Sequence, residues 1–386
     1  MAHDRVRRGV RRRPARRRSR RRPRDLRGPR PSRPRGERAA DRGPARRRRA
    51  LRGRRPLRRR LPARHGPQRR PRALLRRRTR RPDRAGGARV SAPPAGVAAD
   101  VPLSRHTTIG TGGPARYLGL PGDEAALAAM LAWARGEGLA LAVIGLGSNL
   151  LPADSGFDGL VLRLEGDLAR IEIAGEEVAL GGGAALAAVV RKVGDAGLAG
   201  FEFACAIPGT VGGAVRMNAG AYGSEIADVL VSATVVSADG ARTCDAAGLG
   251  LSYRHSDVAP GEVVSGAVIR LGRDERAAIR ERVRAMQDRR SDAQPRKART
   301  FGSVFKNPGG DLTSGQILEA CRLKGHRIGG ARISPKHANF IENTGTATSA
   351  DVVALMVEAR RRAKDQFGVV LEHEVQLLGD IAIPAP

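Results

Sequence analysis

The sequence predicts an α+β protein that is preceded by a long arginine- and proline-rich extension. Beyond about Val101, segments with apolar residues at helical spacing alternate with short apolar runs of strand character. Glycine-rich turns separate these segments, and the polar, proline-containing stretch "SDAQPRKART" divides them into a larger and a smaller unit. About 285 residues are enough for two or three domains with cores of their own.

The N-terminal extension carries all of the excess positive charge. Residues 1–100 contain 40 arginines, no lysine and six acidic residues, whereas the other 286 residues carry 31 basic and 32 acidic side chains. Residues 1–95 also have few β-branched and no aromatic side chains. Because they cannot bury enough apolar surface to offset the entropy cost of ordering, we predict that residues 1–95 are disordered.

Three interpretations of this extension stay open. It is either translated upstream sequence of a GC-rich gene, through a mis-chosen start codon, or an extension without function. Alternatively, it is a tail that binds nucleic acid loosely through its arginines, although no aromatic side chain is present to stack on bases, which disfavours nucleic acid as a partner. A targeting segment is the third interpretation, but the apolar core of a secretory signal is missing.

Several other classes of protein are disfavoured by the rest of the sequence. No apolar run approaches the roughly 18 residues of a membrane span. The three cysteines are widely spaced and include no C-x-x-C pair, which indicates a reducing compartment and argues against a zinc site. His373 alternates with two glutamates along a strand pattern instead of converging on a metal ion. We therefore predict a cytoplasmic protein without a metal or a membrane partner, and we take a monomer as the default.

The larger unit begins with a helix, a strand and a second helix. Asp123 precedes a segment whose apolar residues recur at i, i+3, i+4 and i+7 from Leu127 onward, which predicts a helix. The run "LALAVIGLG" then predicts a buried strand that ends in glycines. A second amphipathic helix follows, with apolar positions beginning at Leu186, and it stops at Gly197.

The second half of the larger unit reads as strands followed by a basic helix. The stretch "VLVSATVVSADGARTC" predicts a hairpin that turns at Asp239-Gly240, and "EVVSGAVIRL" predicts a further strand. The helix around residues 276–290 is interpreted as a solvated surface helix. In the smaller unit we predict a helix capped by Ser349 and closed by Gly368, and then a last strand, "VVLEHEVQLLG".

Two glycine-rich loops are candidates for a phosphate site. "GLGSNLL" follows the first buried strand, and "IPGTVGGAV" combines a Pro-Gly turn with a Gly-Gly pair. Both expose backbone N–H groups without a Cβ nearby, which suits the close approach of a phosphate. Neither loop matches the sequence pattern of a P-loop or of a complete dinucleotide-binding fingerprint. Each loop alone indicates a tight turn, but two of them in one unit favour a phosphate site.

The stretch "TFGSVFKNPGG" is a candidate for catalysis. Small residues frame Ser303, and Lys306 and Asn307 follow it. A neutral proton donor beside a fixed cation is what protonation of a carbanion next to a carboxylate or phosphate requires. The alternative is a strand that runs into an Asn-Pro-Gly turn.

Between Arg105 and Gly379 the sequence resembles the bacterial UDP-N-acetylenolpyruvoylglucosamine reductases. Seven segments occur in the order of that family: "HTTIGTGGPARYL", "GLGSNLLPADSGFDGLVL", "IPGTVGGAVRMNAGAYG", "LSYRHS", "FGSVFKNP", "LKGHRIGGARISPKHANFIEN" and "LEHEVQLLG". The first hundred residues have no counterpart in this pattern. No extra tyrosine-bearing segment of the kind that closes over substrate in the longer form lies before Ser303, so the chain resembles the shorter form.

The resemblance implies the domain organisation and the cofactor. An FAD-binding region of the vanillyl-alcohol-oxidase (PCMH) type would span 101–290, with subdomains at 101–165 and 166–290. A substrate-binding domain would span 298–368, and a catalytic strand would span 369–379. FAD would contact residues of the two glycine-rich loops and of the segment after them: Gly145, Gly147, Ser148, Asn149, Leu150, Pro208, Gly209, Thr210, Gly212, Gly213, Asn218, Gly220 and Gly223.

The resemblance also implies a two-step reduction in the synthesis of peptidoglycan precursors. NADPH would pass a hydride to the flavin, and the flavin would pass it to the enolpyruvyl ether of UDP-N-acetylenolpyruvoylglucosamine, giving UDP-N-acetylmuramate. Arg254 and Glu374 would stabilise the enolate, and Ser303 would deliver the α-proton. An ionised glutamate could not stabilise an enolate, so Glu374 would need a raised pKa. Glu372 would lie on the same face of the predicted strand.

The implied substrate contacts and two rival functions complete the prediction. The UDP-sugar would contact Tyr253, Lys306, Asn307 and Lys324. One rival is another FAD-dependent oxidase of the same superfamily, which would share the cofactor loops but not "FGSVFKNP" or "SPKHANF". The other is an inactive core that carries a nucleic-acid-binding arginine tail.

Overall fold

The structure is a computed structural model, and it describes residues 91–386. Its helices are α1 (Glu124–Gly136), α2 (Leu186–Asp195), α3 (Val211–Arg216), α4 (Arg276–Ala293), α5 (Ser314–Ala320) and α6 (Ser349–Phe367). Its strands are β1 (Val97–Pro102), β2 (Pro114–Gly119), β3 (Ala140–Val143), β4 (Leu150–Pro152), β5 (Phe157–Leu162), β6 (Ile171–Ala174), β7 (Glu177–Gly181), β8 (Leu198–Ala199), β9 (Gly220–Ala221), β10 (Ser224–Glu225), β11 (Leu230–Ser237), β12 (Gly240–Cys244), β13 (Val263–Arg270), β14 (Gly272–Arg273), β15 (Arg327–Ile328), β16 (Ala331–Ile333), β17 (Ile341–Asn343) and β18 (Gln376–Leu378).

Most of the predicted extension lies outside the described residues, which begin at Ser91. The backbone N–H of Ser91 donates to the carboxylate of Glu137 at 3.0 Å, and Trp133 Nε1 donates to the Ser91 carbonyl at 3.3 Å. Among the described residues, Ser91 already contacts the folded part, a few residues before the predicted end of the extension at residue 95.

The first sheet has four strands in the order β1-β2-β5-β3, of which β2, β5 and β3 are parallel. Helix α1 packs on it, with Leu127 and Met130 buried against Leu160 and Leu162. The helix begins as predicted, because the Asp123 side chain accepts a hydrogen bond from Ala126 N at 2.8 Å. The carboxyl end of β3 leads directly into the first glycine-rich loop.

The second sheet has five antiparallel strands in the order β12-β11-β13-β7-β6. The predicted hairpin is confirmed, since β11 and β12 pair across Asp239-Gly240. The side chains of α2 and α3, including Val189 and Val211, form one core with those of β11 and β13.

The second glycine-rich loop differs from its prediction. Gly212 and Gly213 lie inside α3 and not in a turn. A Cβ on Gly212 would lie 2.9 Å from the carbonyl oxygen of Val264 in β13. Gly212 therefore lets a short helix approach the backbone of the sheet, a tertiary requirement that outweighs the poor helix propensity of glycine.

The smaller unit packs α5 and α6 against the sheet β15-β16-β17, around a core that includes Phe301, Phe305, Leu355 and Met356. Helix α6 ends at Gly368 as predicted, with φ of 67°. Its N-cap, however, is Thr348, whose hydroxyl accepts from Asp351 N. Ser349 was predicted to be the cap, but it is fully buried and its hydroxyl donates to Thr111 Oγ1 at 2.9 Å.

The predicted last strand is also corrected. Only β18 is a strand, and it runs parallel to β4 of the larger unit. Before it, residues 369–375 run irregularly along the 304–306 segment, where Lys306 N donates to the Glu372 carbonyl and Glu374 N donates to the Val304 carbonyl. The chain crosses from the smaller to the larger unit here, and this change of partner prevents a continuous strand. The predicted domain boundaries remain predictions.

Two further observations concern the part of the chain that the structure describes. None of its helices combines the length and the apolar composition needed to cross a bilayer. Within 91–386, no group of three or more histidine, cysteine, aspartate or glutamate side chains is arranged to hold a metal ion.

Candidate active site

A cavity of ≈ 870 Å³ lies between the two sheets and the smaller unit. Its wall contains most of the residues that the sequence predicted for the site. These are Gly145, Gly147, Ser148, Asn149, Leu150, Pro208, Gly209, Thr210, Gly212, Gly213, Gly220, Arg254, Ser303 and Glu374.

The two glycine-rich loops meet on one wall of this cavity. The hydroxyl of Ser148 donates to the carbonyl of Pro208 and so joins the loops. A Cβ on Gly145 would lie 2.5 Å from Thr210 Oγ1, and one on Gly147, where φ is +64°, would lie 2.0 Å from the carbonyl oxygen of His106. A larger residue at Gly145 would clash with Thr210 of the second loop, and one at Gly147 would clash with the backbone of His106. Glycine therefore lets the loops pack closely, and their backbone forms this part of the cavity wall.

Arg254 reaches the cavity from a tight turn. Ser252 and His255 exchange backbone hydrogen bonds at 3.2 and 3.1 Å, which leaves Arg254 in the turn with φ of 55°. Its Nε donates to Glu374 Oε1 at 2.9 Å, and its Nη2 donates to the carbonyl oxygen of Gly220 at 2.8 Å. Two of its three nitrogens are thus held by protein groups, and the guanidinium is fixed in orientation.

Glu374 is the partly buried partner of Arg254, with a side chain 19 % exposed. Burial raises the pKa of this carboxyl, and the charge of Arg254, its hydrogen bond and the charge of Lys306 oppose the rise only in part. This is the direction that the sequence analysis required. Glu372, by contrast, is 72 % exposed and bonds to Lys306 Nζ at 2.7 Å. The continuous strand on which the two glutamates were expected to share a face does not form, and the two side chains differ in exposure, although the charge of Lys306 acts on both.

Ser303 lies beside Glu374. It forms an isolated bridge with Phe340, and the carbonyl of the next residue, Val304, accepts the N–H of Glu374 at 2.8 Å. Three elements from distant parts of the sequence therefore bring Arg254, Glu374 and Ser303 to one cavity. Together they supply a fixed cation, a carboxyl with a raised pKa and a neutral hydroxyl.

Six predicted residues do not line the cavity: Asn218, Gly223, Tyr253, Lys306, Asn307 and Lys324. The ring of Tyr253 stacks on the guanidinium of Arg254, with the Cζ atom 5.0 Å from the ring centroid. Asn307 Oδ1 accepts from Ser314 N at 3.1 Å, and Lys324 Nζ bonds to Glu319 at 2.6 Å. Contacts of these residues with a substrate remain predictions.

The cavity also contains residues that the sequence analysis did not assign. Gly182 and Gly183 come close to neighbouring carbonyl groups, and a Cβ on Gly182 would lie 2.1 Å from the oxygen of Val264. The run of three glycines at residues 181–183 was the sequence feature that could have identified them as site residues. Arg216 was visible as the single charge in the second glycine-rich stretch. Others are Tyr222, Arg290 and Gln376, which carried no signal.

Comparisons with known proteins define the class first. Residues 115–245 match the family model described as FAD binding domain. With the bare-backbone cavity, this makes the chain an FAD-dependent oxidoreductase and confirms the predicted fold class, an FAD-binding region with a smaller α+β domain.

The particular family follows from the rest of the chain. Residues 294–378 match the model described as UDP-N-acetylenolpyruvoylglucosamine reductase, C-terminal domain. The chain is 44% identical over 281 residues to UDP-N-acetylenolpyruvoylglucosamine reductase 2 of Symbiobacterium thermophilum, covering 72% of this chain and 91% of the relative. It is 43% identical over 288 residues to the reductase of Rhodospirillum rubrum, covering 73% and 90%. The chain belongs to the UDP-N-acetylenolpyruvoylglucosamine reductase family.

A solved structure agrees with this assignment. The UDP-N-acetylenolpyruvylglucosamine reductase of Thermus caldophilus superposes with a TM-score of 0.64 at 33% identity, covering 73% of this chain and 98% of that chain.

Proposed function

We propose that this protein reduces the enolpyruvyl ether of UDP-N-acetylenolpyruvoylglucosamine to UDP-N-acetylmuramate with NADPH as the reductant. The observation that carries the proposal is the convergence of Arg254, Glu374 and Ser303 on the FAD cavity, with Glu374 shifted toward its neutral form. The reaction belongs to peptidoglycan synthesis, and we place it in the cytoplasm, where it serves cell-wall biogenesis and hence cell shape and division. We take the protein to act as a monomer.

The residues of the cavity fit FAD. The two glycine-rich loops would hold its diphosphate, because the backbone of Gly145, Gly147 and Gly209 lines the cavity. When bound, FAD supplies the two-electron redox chemistry that links NADPH to the substrate.

The three side chains account for the rest of the reaction. Reduction at the β-carbon of the enolpyruvyl group leaves negative charge that spreads from the α-carbon into the substrate carboxylate. Arg254, as a cation with free donors, stabilises this charge, and neutral Glu374 donates a hydrogen bond to it. The hydroxyl of Ser303 transfers its proton to the α-carbon, which completes the saturated ether.

The direct test measures oxidation of NADPH by the purified protein, with and without the enolpyruvyl substrate. We expect a yellow protein that oxidises NADPH only when the substrate is present, in the absence of oxygen. Oxidation that needs oxygen and ignores the substrate would instead support an oxidase.

Arg216 is expected to contribute to FAD affinity. Its Nη1 donates to the Val258 carbonyl at 3.0 Å, and no carboxylate among residues 91–386 pairs with it. Burial lowers the pKa of its guanidinium, although the charge of Glu262 opposes this. A half-buried cation on the cavity wall that makes no direct ion pair suits the cofactor diphosphate. Arg216→Gln should weaken FAD binding by about 10- to 100-fold, the value of a charge-assisted hydrogen bond.

Titration of the apoprotein with FAD, followed by flavin fluorescence, measures this effect. Arg280→Gln is the matched control, since Arg280 pairs with Asp195 on the surface. Equal affinities for the two variants would exclude Arg216 from the cofactor site.

The raised pKa of Glu374 predicts a pH dependence. Because the proposed role needs the neutral carboxyl, turnover should fall as the pH rises through the raised pKa. Glu374→Gln carries a neutral donor at every pH and should lose this limb of the profile. In Glu372→Gln, turnover should still fall as the pH rises, but the fall should occur at lower pH. The reason is that Lys306 loses its partner Glu372 and then lowers the pKa of Glu374 further.

Turnover measured against pH for the three proteins checks this prediction. If turnover of Glu374→Gln falls at high pH as in the wild type, another group causes the fall.

A further inference from the structure

Asn218 differs from the other residues of its glycine-rich segment. The resemblance placed it against FAD, but it does not line the cavity. Its side chain is fully buried at 0 % exposure, and its backbone is left-handed with φ of 39°. A buried carboxamide in this position needs partners for both its oxygen and its nitrogen.

Both partners lie in neighbouring segments, and one of them carries Arg254. Asn218 Oδ1 accepts from Ala227 N at 3.0 Å. Its Nδ2 donates at 3.1 Å to the carbonyl of Ser252, the residue that opens the turn bearing Arg254. The carboxamide therefore links the 218–227 segment to the Arg254 turn.

The same two segments hold an unusual share of strained backbone. The described residues include six non-glycine residues with positive φ, and Asn218, Tyr222 and Arg254 are three of them. Such conformations persist only where surrounding contacts enforce them, and they cluster at functional sites. The hydrogen bond from Arg254 Nη2 to the Gly220 carbonyl is a second link between the segments.

The turn has little packing of its own. Tyr253 is 48% exposed, and His255 projects into solvent, where it meets only Asp257. Besides the Asn218 bond, the neighbouring Ser256 hydroxyl donates to the Arg216 carbonyl at 2.6 Å. The orientation of Arg254 thus depends on a few hydrogen bonds, and Asn218 supplies one of them from a fully buried side chain.

We propose that Asn218 is a positioning residue, which holds the Ser252–His255 turn so that the Arg254 guanidinium faces Glu374 and the substrate carboxylate. This inference rests on the proposed role of Arg254. Because Asn218 acts through Arg254 and not on the cofactor, its loss should reduce turnover while FAD affinity is retained.

The variant Asn218→Asp tests the inference. Aspartate keeps the size, the tolerance for positive φ and the acceptor for Ala227 N, but it turns a carboxylate oxygen toward the Ser252 carbonyl. Turnover should fall by about 10- to 100-fold, since small misplacements of a catalytic group cost about that much. FAD affinity, measured by fluorescence titration of the apoprotein, should stay near that of the wild type.

A matched control separates positioning from general destabilisation. Asn343 is also buried and donates to the Ile109 carbonyl at 2.9 Å, while its Oδ1 accepts from Gly345 N and Ala347 N. Asn343→Asp therefore loses an equivalent bond far from the Arg254 turn. It should lower the melting temperature to a similar extent and leave turnover near normal.

A double-mutant cycle with Arg254→Lys then identifies the route of the effect. If Asn218 acts through Arg254, Asn218→Asp should reduce the turnover of Arg254→Lys much less than it reduces the turnover of the wild type. Asn218→Gly, which accepts the positive φ but makes neither bond, should behave in the same way and replaces the aspartate variant if that variant does not fold.

Three results would overturn the inference. The first is normal turnover of Asn218→Asp when turnover of Arg254→Lys is impaired. The second is an equal loss of turnover on Asn218→Asp in the wild type and in Arg254→Lys, and the third is weakened FAD binding with normal turnover. Normal turnover of Arg254→Lys would instead remove the proposed role of Arg254, and this inference with it.

Discussion

Ser303→Ala should bind FAD and be reduced by NADPH at close to the normal rate, whereas its reoxidation by the enolpyruvyl substrate slows by roughly 10²- to 10⁴-fold. The reason is that the hydroxyl acts only when the α-carbon needs a proton. The first half of the reaction does not involve that carbon. Ser303 lies on the cavity wall next to the chain segment of Glu374, where a donor of this kind is required.

Stopped-flow absorbance of the oxidised flavin measures each half-reaction separately. Ser303→Cys should recover part of the rate, since a thiol is a stronger acid than a serine hydroxyl. Ser334→Ala is a suitable control, because Ser334 is equally a loop serine of the smaller unit and is fully buried. Equal slowing of both half-reactions in Ser303→Ala would show that Ser303 is a structural residue only.

Arg254→Lys should lose about 10²- to 10³-fold in turnover although the charge is kept. Arg254 uses Nε for Glu374 and Nη2 for the Gly220 carbonyl, and it still presents further donors to the substrate. A lysine has a single nitrogen and lacks the planar fork, so it cannot hold Glu374 and bind a carboxylate in the same geometry. FAD content should be unchanged.

Steady-state turnover and the flavin-to-protein absorbance ratio measure the two parts of this prediction. Arg282→Lys is the control, because Arg282 likewise donates through Nε and Nη2, in its case to Glu202, but does not line the cavity. Turnover of Arg254→Lys close to that of the wild type would mean that any cation at this place is sufficient.

Features that depend on neighbouring residues in the chain were predictable from the sequence. The start of α1 at Asp123, the hairpin at Asp239-Gly240 and the end of α6 at Gly368 each follow from a local cap or turn. The order of the seven motifs also identified the family, and most of the site residues that it implied line the cavity. For these features the information lies within a few residues or in the succession of segments.

Tertiary structure decided the features whose partners are distant in sequence. Gly212 lies in a helix that packs close to β13, and Ser349 is buried with its hydroxyl on Thr111 while Thr348 caps α6. Glu374 and Glu372 differ only through the segments that surround them: one is mostly covered beside Arg254, and the other is exposed beside Lys306.

The same reason applies to the roles of Arg216 and Asn218. A sequence shows one charged and one amide residue in a glycine-rich segment, and it does not show which carbonyl groups they meet. Only the fold brings the Ser252 carbonyl to Asn218 and leaves Arg216 without a carboxylate. The residue types and local turns were therefore determined by the sequence alone, whereas burial, and with it pKa and hydrogen-bond partners, was decided by how distant segments pack.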